Sequence, residues 1–246
     1  MSPKQIIFWP GAVLVVLSVS VASAHAQSHA QPRVEISANV AAVGGGGKFT
    51  ESDSFPVNAE TETVTADHGT KTAVGFSVGG AFKIASQLWI GVQYAMADTK
   101  PGASITAVVP HPLLFNAPRT VQGTVSNLAH NENNVHLDVM YALPVRAMDV
   151  KVMAGPTFFS VKQDFVASVA VSETYPFDTA TFATATTAQS SKTAAGFNAG
   201  VDLSRPLSPH LGVGALIRYS KGDVKFDHNT IKAGGVEAGG GVRIMF

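Results

Sequence analysis

The sequence has no cysteine among its 246 residues. That excludes disulfides, thiolate metal sites, cysteine nucleophiles and lipidation at cysteine. Charge is scarce too: Asp, Glu, Lys and Arg make up 14%, against roughly 25% in soluble domains. Neither sign is in excess, since 17 basic residues face 17 acidic ones, so neither a nucleic-acid partner nor a polybasic membrane patch is expected. A long apolar run is missing as well. The stretch Ala12 to Val21 is well short of the roughly 20 residues a spanning helix requires. It follows Lys4 and precedes Ala24-His25-Ala26, a small-x-small pattern, so residues 1–26 read as a signal peptide cut after Ala26 and residues 27–246 as one exported domain.

Apolar residues, at 46%, and 23 glycines are what the chain has in quantity. Beyond the signal the apolar residues recur at every second position, the period of a strand. Eight segments show it: Val34 to Val43, Ala73 to Ile84, Gln87 to Ala97, Asn133 to Leu143, Asp149 to Val161, Ala194 to Ser204, His210 to Ser220, and Lys232 to Phe246. Each is close to the length with which a tilted strand crosses a bilayer. Short connections at Ala85-Ser86, Pro144 to Met148 and Arg205 to Pro209 alternate with long ones at Gly44 to Thr72, Lys100 to Glu132, Lys162 to Thr193 and Lys221 to Ile231. Short turns at one end and long loops at the other are the asymmetry of a transmembrane barrel.

The faces sharpen the expectation. Val213, Ala215, Ile217 and Tyr219 share one face of the seventh segment, opposite Gly212, Gly214, Leu216 and Arg218; Leu137, Val139 and Tyr141 oppose His136, Asp138 and Met140 in the fourth. Glycine weakens strands and has no use on a wetted face, whereas a narrow eight-stranded barrel must fill its interior and has room for few large side chains. The apolar face is therefore expected to meet lipid, and the small and polar face to line a lumen. So phased, Glu35, Asp138, Asp202 and Glu237 face inward with Lys83, Lys151, Arg218 and Arg243. Equal numbers are what a closed interior requires, because an unpaired buried charge costs several kcal/mol. Glu35, Lys83, Lys151, Asp202 and Arg243 are expected to cluster toward the end with short turns, and Glu237 to pair with Arg218 nearer the other end.

The last segment ends on Phe246, with Ile244, Val242 and Gly240 alternating before it. This ending resembles the C-terminal signal of bacterial outer-membrane proteins that the barrel-assembly machinery reads. With the eight segments and the signal peptide, the chain resembles the small outer-membrane β-barrels related to the barrel domain of outer-membrane protein A. The resemblance implies an all-β, eight-stranded antiparallel up-and-down transmembrane barrel with short periplasmic turns and long extracellular loops. It also implies a monomer in outer-membrane lipid, the assembly machinery as partner during biogenesis, and Val242, Ile244 and Phe246 as the assembly signal. No peptidoglycan-binding segment follows the barrel, so wall anchoring is not expected.

Candidate chemistry is sparse. Gly44 to Lys48 reads GGGGK, but Ala42 stands where a phosphate-binding loop needs its first glycine and Phe49 where it needs a hydroxyl. No histidine of the exported chain has a serine two residues later, the base and nucleophile pair of the outer-membrane lipid A deacylases. Asp67-His68 and Asp227-His228 fall in expected outer loops, where omptin proteases carry acidic and histidine residues; omptins, however, have ten strands, and an Asp-His neighbour pair reads as turn chemistry. The histidines show no metal-ligand spacing, and no cofactor is expected. His136 and Asp138 read as a hydrogen-bonded lumen pair. Ile105 to Pro118 is apolar for a loop and suits either a lid over the mouth or a partner site. Ala180 to Ala188 suits a hairpin extending past the bilayer. Two functions fit these features: a structural or surface-interaction barrel with a filled lumen and an unknown extracellular partner of its loops, or a narrow channel for small solutes or ions. An enzyme is not expected.

Overall fold

The computed structural model describes residues 33–44, 47–145, 148–227 and 229–246. The expected signal peptide, Arg146, Ala147 and His228 lie outside the described residues. The described residues form twelve strands: β1 (Val34–Gly44), β2 (Phe49–Val57), β3 (Glu60–His68), β4 (Ala73–Lys83), β5 (Leu88–Thr99), β6 (Ala103–Val109), β7 (Arg119–Val125), β8 (His130–Val145), β9 (Met148–Glu173), β10 (Ala180–Pro206), β11 (Leu211–Lys225) and β12 (Thr230–Met245). Eight close an antiparallel barrel in the order β1-β12-β11-β10-β9-β8-β5-β4. Closure runs through β1 and β12, from Glu35 opposite Met245 to Gly44 opposite Val236. Main-chain bonds seal the seam beneath: Arg33 N donates to Phe246 O at 2.7 Å and Phe246 N to Val34 O at 2.9 Å. A closed barrel leaves no unpaired edge for lipid to meet.

The two faces separate as the alternation requires. Leu137, Val139, Val213 and Ile217 are 42%, 57%, 44% and 58% exposed on the outside of the barrel, while His136, Asp138, Leu216 and Arg218 beside them are buried. A protein whose large aliphatics point outward and whose charges point inward has its hydrocarbon solvent on the outside. Phe82, Tyr94, Tyr141, Phe197 and Tyr219 are exposed on the same outer face.

The long connections depart from the expected loops. The first holds β2 and β3, the second β6 and β7, and the two hairpins join through β3 and β6, Thr63 opposite Val108 to His68 opposite Ala103, into one sheet ordered β2-β3-β6-β7. β9 and β10 do not stop at Val161 and Ala194: their pairing continues to Glu173 opposite Ala180, so Ala180 to Ala188 does extend its hairpin past the barrel. The four-stranded sheet packs on this extension around Val64, Ala66, Ile105, Ala107, Val121 and Val166, making a second, extracellular core. Ile105 and Ala107, 2% and 0% exposed, belong to it. They alternate with polar residues that face water, the pattern of a half-buried strand.

Candidate functional site

The barrel interior is layered. At the end with short turns, Lys151 Nζ lies 2.5 Å from Glu35 Oε2 and 4.6 Å from the centre of the Trp89 ring. Arg243 Nη2 lies 2.5 Å from Asp202 Oδ2; its Nη1 donates to Asn39 Oδ1 at 2.6 Å, and its Nε is 3.9 Å from Glu35. Lys83, half-buried, also approaches Trp89, its Nζ 5.9 Å from the ring centre. Glycine makes this layer possible: a Cβ on Gly214 would stand 2.9 Å from Arg243 Cζ, so the guanidinium occupies the space a side chain would take. Arg243 and Arg218 are 0% and 1% exposed, and a guanidinium so deeply buried persists only with carboxylate partners.

The middle layer differs from expectation in two pairings. Arg218 closes on Asp138, Nη2 to Oδ2 at 2.7 Å, and not on Glu237. Glu237 is the register partner of Arg218 on the adjacent strand, but the long guanidinium side chain reaches across the lumen to β8, while Glu237 accepts a hydrogen bond from Ser77 Oγ at 3.1 Å. His136 does not bond Asp138 either; its Nδ1 meets Thr157 Oγ1 at 2.8 Å. Residues two apart on a strand share a face but stand side by side, whereas Thr157 lies directly opposite His136 on β9.

Above these layers the mouth closes with apolar side chains. Phe159, Val161, Val224 and Ile231 are at most 1% exposed and pack with Phe226 and Ala233. Phe159 fits because Gly222 lies beside it: a Cβ there would meet its ring at 2.6 Å. The lid is therefore built from the middle of β9, the end of β11 and the start of β12, and not from Ile105 to Pro118. That segment divides between the outer core and an exposed turn, where Leu113, Leu114 and Phe115 are 61%, 55% and 73% exposed. Gly234, at φ +85°, holds the main chain of β12 so that its N–H reaches Glu132 Oε2 at 3.0 Å; glycine alone adopts that conformation cheaply. The spaces left among the lumen side chains are small, about 20 Å³ beside Glu35 and Lys151 and about 20 Å³ beside His136 and Glu237, each with room for roughly one water, and about 50 Å³ at the mouth beside His130, Glu132, Gln163 and Ile231.

The segments expected as outer loops hold acid and imidazole pairs that sequence reading missed: His130 Nε2 lies 2.9 Å from Glu132 Oε1, His111 Nε2 lies 3.9 Å from the exposed Asp178 Oδ1, and Glu51 pairs with His68. His68 Nε2 lies 2.9 Å from Glu51 Oε2, both buried, while Phe49 stacks on the imidazole at 4.1 Å. Asp67, the expected neighbour, instead accepts from Thr50 Oγ1 at 2.6 Å. Glu51 also accepts from Val166 N at 3.2 Å, so the pair fastens the outer sheet to the β9 extension. Glu51 lies on the buried face of β2, inside the connection Gly44 to Thr72 that was expected as a loop, and nothing in the sequence says that this face has a partner. Among the described residues no cluster of His, Asp and Glu is arranged to hold a metal ion.

The sequence matches the family model described as outer membrane protein beta-barrel domain over residues 12–243. No curated protein matches it. Among solved structures, Neisserial surface protein A is 14% identical, with 87% of this chain and 97% of that chain covered and a TM-score of 0.46. The attachment invasion locus protein Ail of Yersinia pestis, in complex with the heparin analogue sucrose octasulfate, is 13% identical over 87% and 99%, at 0.39. The outer membrane protease OmpT from Escherichia coli is 8% identical over 90% and 99%, at 0.50. Such identities speak of the fold alone. Between that family match and a closed barrel with its aliphatic face turned outward, the chain belongs to the outer membrane protein beta-barrel domain family and resides in the cell outer membrane.

Proposed function

We propose that the protein is a closed outer-membrane barrel whose role is structural or surface-interacting, with the folded extracellular strands as the working part. The observation that carries this reading is the filled lumen: ion pairs below, an apolar cluster above, and interior spaces of only about 20 Å³ to about 50 Å³. A conducting barrel needs a continuous polar path, and Phe159, Val161, Val224 and Ile231 interrupt any such path. The outer part, in contrast, has its own core and is not a set of floppy loops. Catalysis is no part of the reading, since the Glu51 and His68 pair is covered by Phe49 and Phe165 and serves packing. The test is planar-bilayer conductance of the purified full chain. Silence is expected; steady channels would sink the reading in favour of a narrow channel for small solutes or ions.

A further inference from the structure

The aliphatic outer face of the barrel is indented where β12, β1, β4 and β5 run side by side. Val40 of β1 stands opposite Gly240 of β12 and Phe76 of β4, and Phe76 stands opposite Met96 of β5. Ala38 and Gly240, being small, leave a groove of about 390 Å³ that Phe76, Tyr94, Met96 and Val242 border. Tyr94 is fixed as one of its walls, its hydroxyl donating to Asn133 Oδ1 at 2.9 Å. A groove set in a face turned to lipid takes hydrocarbon, since no water reaches that depth to fill it.

Small residues continue from the groove toward the extracellular end, where Ala42 stands opposite Ala238 and Gly44 opposite Val236. Exposed lysines gather where this track ends: Lys48, Lys71, Lys100 and Lys232. Lys71, just before β4, donates to the main-chain oxygen of Lys100, just after β5, at 3.0 Å. Lys232 of β12 lies beside Gly47, where a Cβ would stand 3.5 Å from Lys232 Cβ, and Lys48 follows in the chain. Lys192 of β10 is paired with Asp227, but among the described residues no carboxylate is paired with any of these four. Asp98, beneath Lys100 on β5, accepts instead from Asn131 Nδ2 at 2.7 Å. Lys100 is four residues beyond Met96, about 13 Å along the strand, so a chain lying in the groove brings its headgroup to the lysines. Unpaired cations at the head of a hydrocarbon groove are complementary to a lipid phosphate.

Next to these lysines in the chain, the barrel-side ends of β2, β3, β6 and β7 enclose a cleft of about 630 Å³. Gly69 N donates to Gly102 O at 2.9 Å where the outer sheet joins the barrel, and both glycines line the cleft. So do Lys48, Thr50, Asp67, Ser104, Thr124 and Ser126, all exposed. Hydroxyls that both donate and accept, with a carboxylate among them, suit a polyhydroxyl ring.

We infer that groove, lysines and cleft together bind one phosphorylated glycolipid of the outer leaflet. Its acyl chain lies in the groove, its phosphate on Lys71 and Lys100 with Lys48 and Lys232 at the flanks, and its sugar in the cleft. A protein partner has no use for a groove in hydrocarbon, and a phospholipid without sugar leaves the hydroxyls of the cleft unused. The site is on the outer wall and goes beyond the filled-lumen reading.

The test is native mass spectrometry of the purified full chain in detergent, titrated with lipid A, a phosphorylated and acylated glucosamine disaccharide, and separately with phosphatidylglycerol. One lipid A is expected to bind, roughly tenfold more tightly than phosphatidylglycerol. K71Q/K100Q should weaken lipid A roughly thirtyfold. S104A/T124V should bring lipid A down to the level of phosphatidylglycerol and leave the latter unchanged, whereas A38F, which fills the groove, should weaken both. Inorganic phosphate should not displace the bound lipid. Unheated gel mobility confirms that each variant is a folded barrel. No lipid A adduct, equal binding of phosphatidylglycerol, displacement by phosphate, or affinity indifferent to the lysines, the hydroxyls or the filled groove each overturns the inference. Conductance reads the lumen and this titration reads the wall, so the two readings stand or fall separately.

Discussion

Removing the carboxylate of Asp138 isolates the physics of the lumen. Asp138 is 3% exposed, and its Oδ2 lies 2.7 Å from Arg218 Nη2, itself 1% exposed. Asp138→Ala leaves a guanidinium buried without its partner, which typically costs 3–5 kcal/mol. Glu237, the register neighbour of Arg218, can take up part of that charge, so a loss of about 3 kcal/mol is expected here. Against a total stability of about 5–15 kcal/mol this is a large fraction. The second arm, Arg218→Met, strands Asp138 instead and should cost a similar amount. The double variant removes both charges and should recover about 2 kcal/mol relative to the sum, because exchanging a whole buried pair for apolar side chains is often neutral. The assay is reversible urea unfolding of the barrel in lipid vesicles, followed by the fluorescence of Trp89, buried in the lumen at 5% exposure. A loss under about 1 kcal/mol for Asp138→Ala, or strict additivity in the double variant, would refute the account of a lumen held by mutual neutralisation.

Gly214→Val places carbon where Arg243 Cζ now sits 2.9 Å from a virtual Cβ; the same assay should show about 1–3 kcal/mol of destabilisation from overpacking. Phe246→Ser leaves the closing bonds intact, since these are main-chain bonds to Arg33 and Val34. Refolded stability should change little while the amount assembled in the outer membrane of living cells falls, as measured by membrane fractionation; equal assembly would remove Phe246 from the assembly signal. Glu62, in the outer sheet, is buried at 7% exposure, and burial pushes its carboxyl above the usual range. A folded-state pKa above the unfolded one means the native state holds the proton more tightly, so the outer sheet loses stability as pH rises from the ordinary carboxylate pKa through the raised one. Glu62→Gln should therefore raise hydrogen-exchange protection of β2, β3 and β6 at neutral pH and lose that advantage below about pH 4.5. An unchanged neutral-pH rate would count against a buried carboxylate there.

The alternation of Val213, Ile217, Leu137 and Val139 with glycines and charges was enough to define strands, faces and the inward direction of the ions, because side-chain direction in a strand is a local property with period two. The ribbon at Ala180 to Ala188 was legible from composition and not from the period, because threonine suits strands. What lay beyond the sequence was every choice among equivalent inward partners. Arg218 had four acidic residues on the correct face, Glu35, Asp138, Asp202 and Glu237, and takes Asp138, three strands away around the barrel, a distance that only the closed circumference defines. His136 takes Thr157 on the neighbouring strand for the same reason. The outer sandwich depended on β3 meeting β6, segments some forty residues apart, and no local pattern reports that two loops will pair. Composition and alternation alone determined a barrel turned toward lipid; the tertiary structure decided which ions hold it shut and that an apolar cluster sits at its mouth, because these depend on residues brought together by closure.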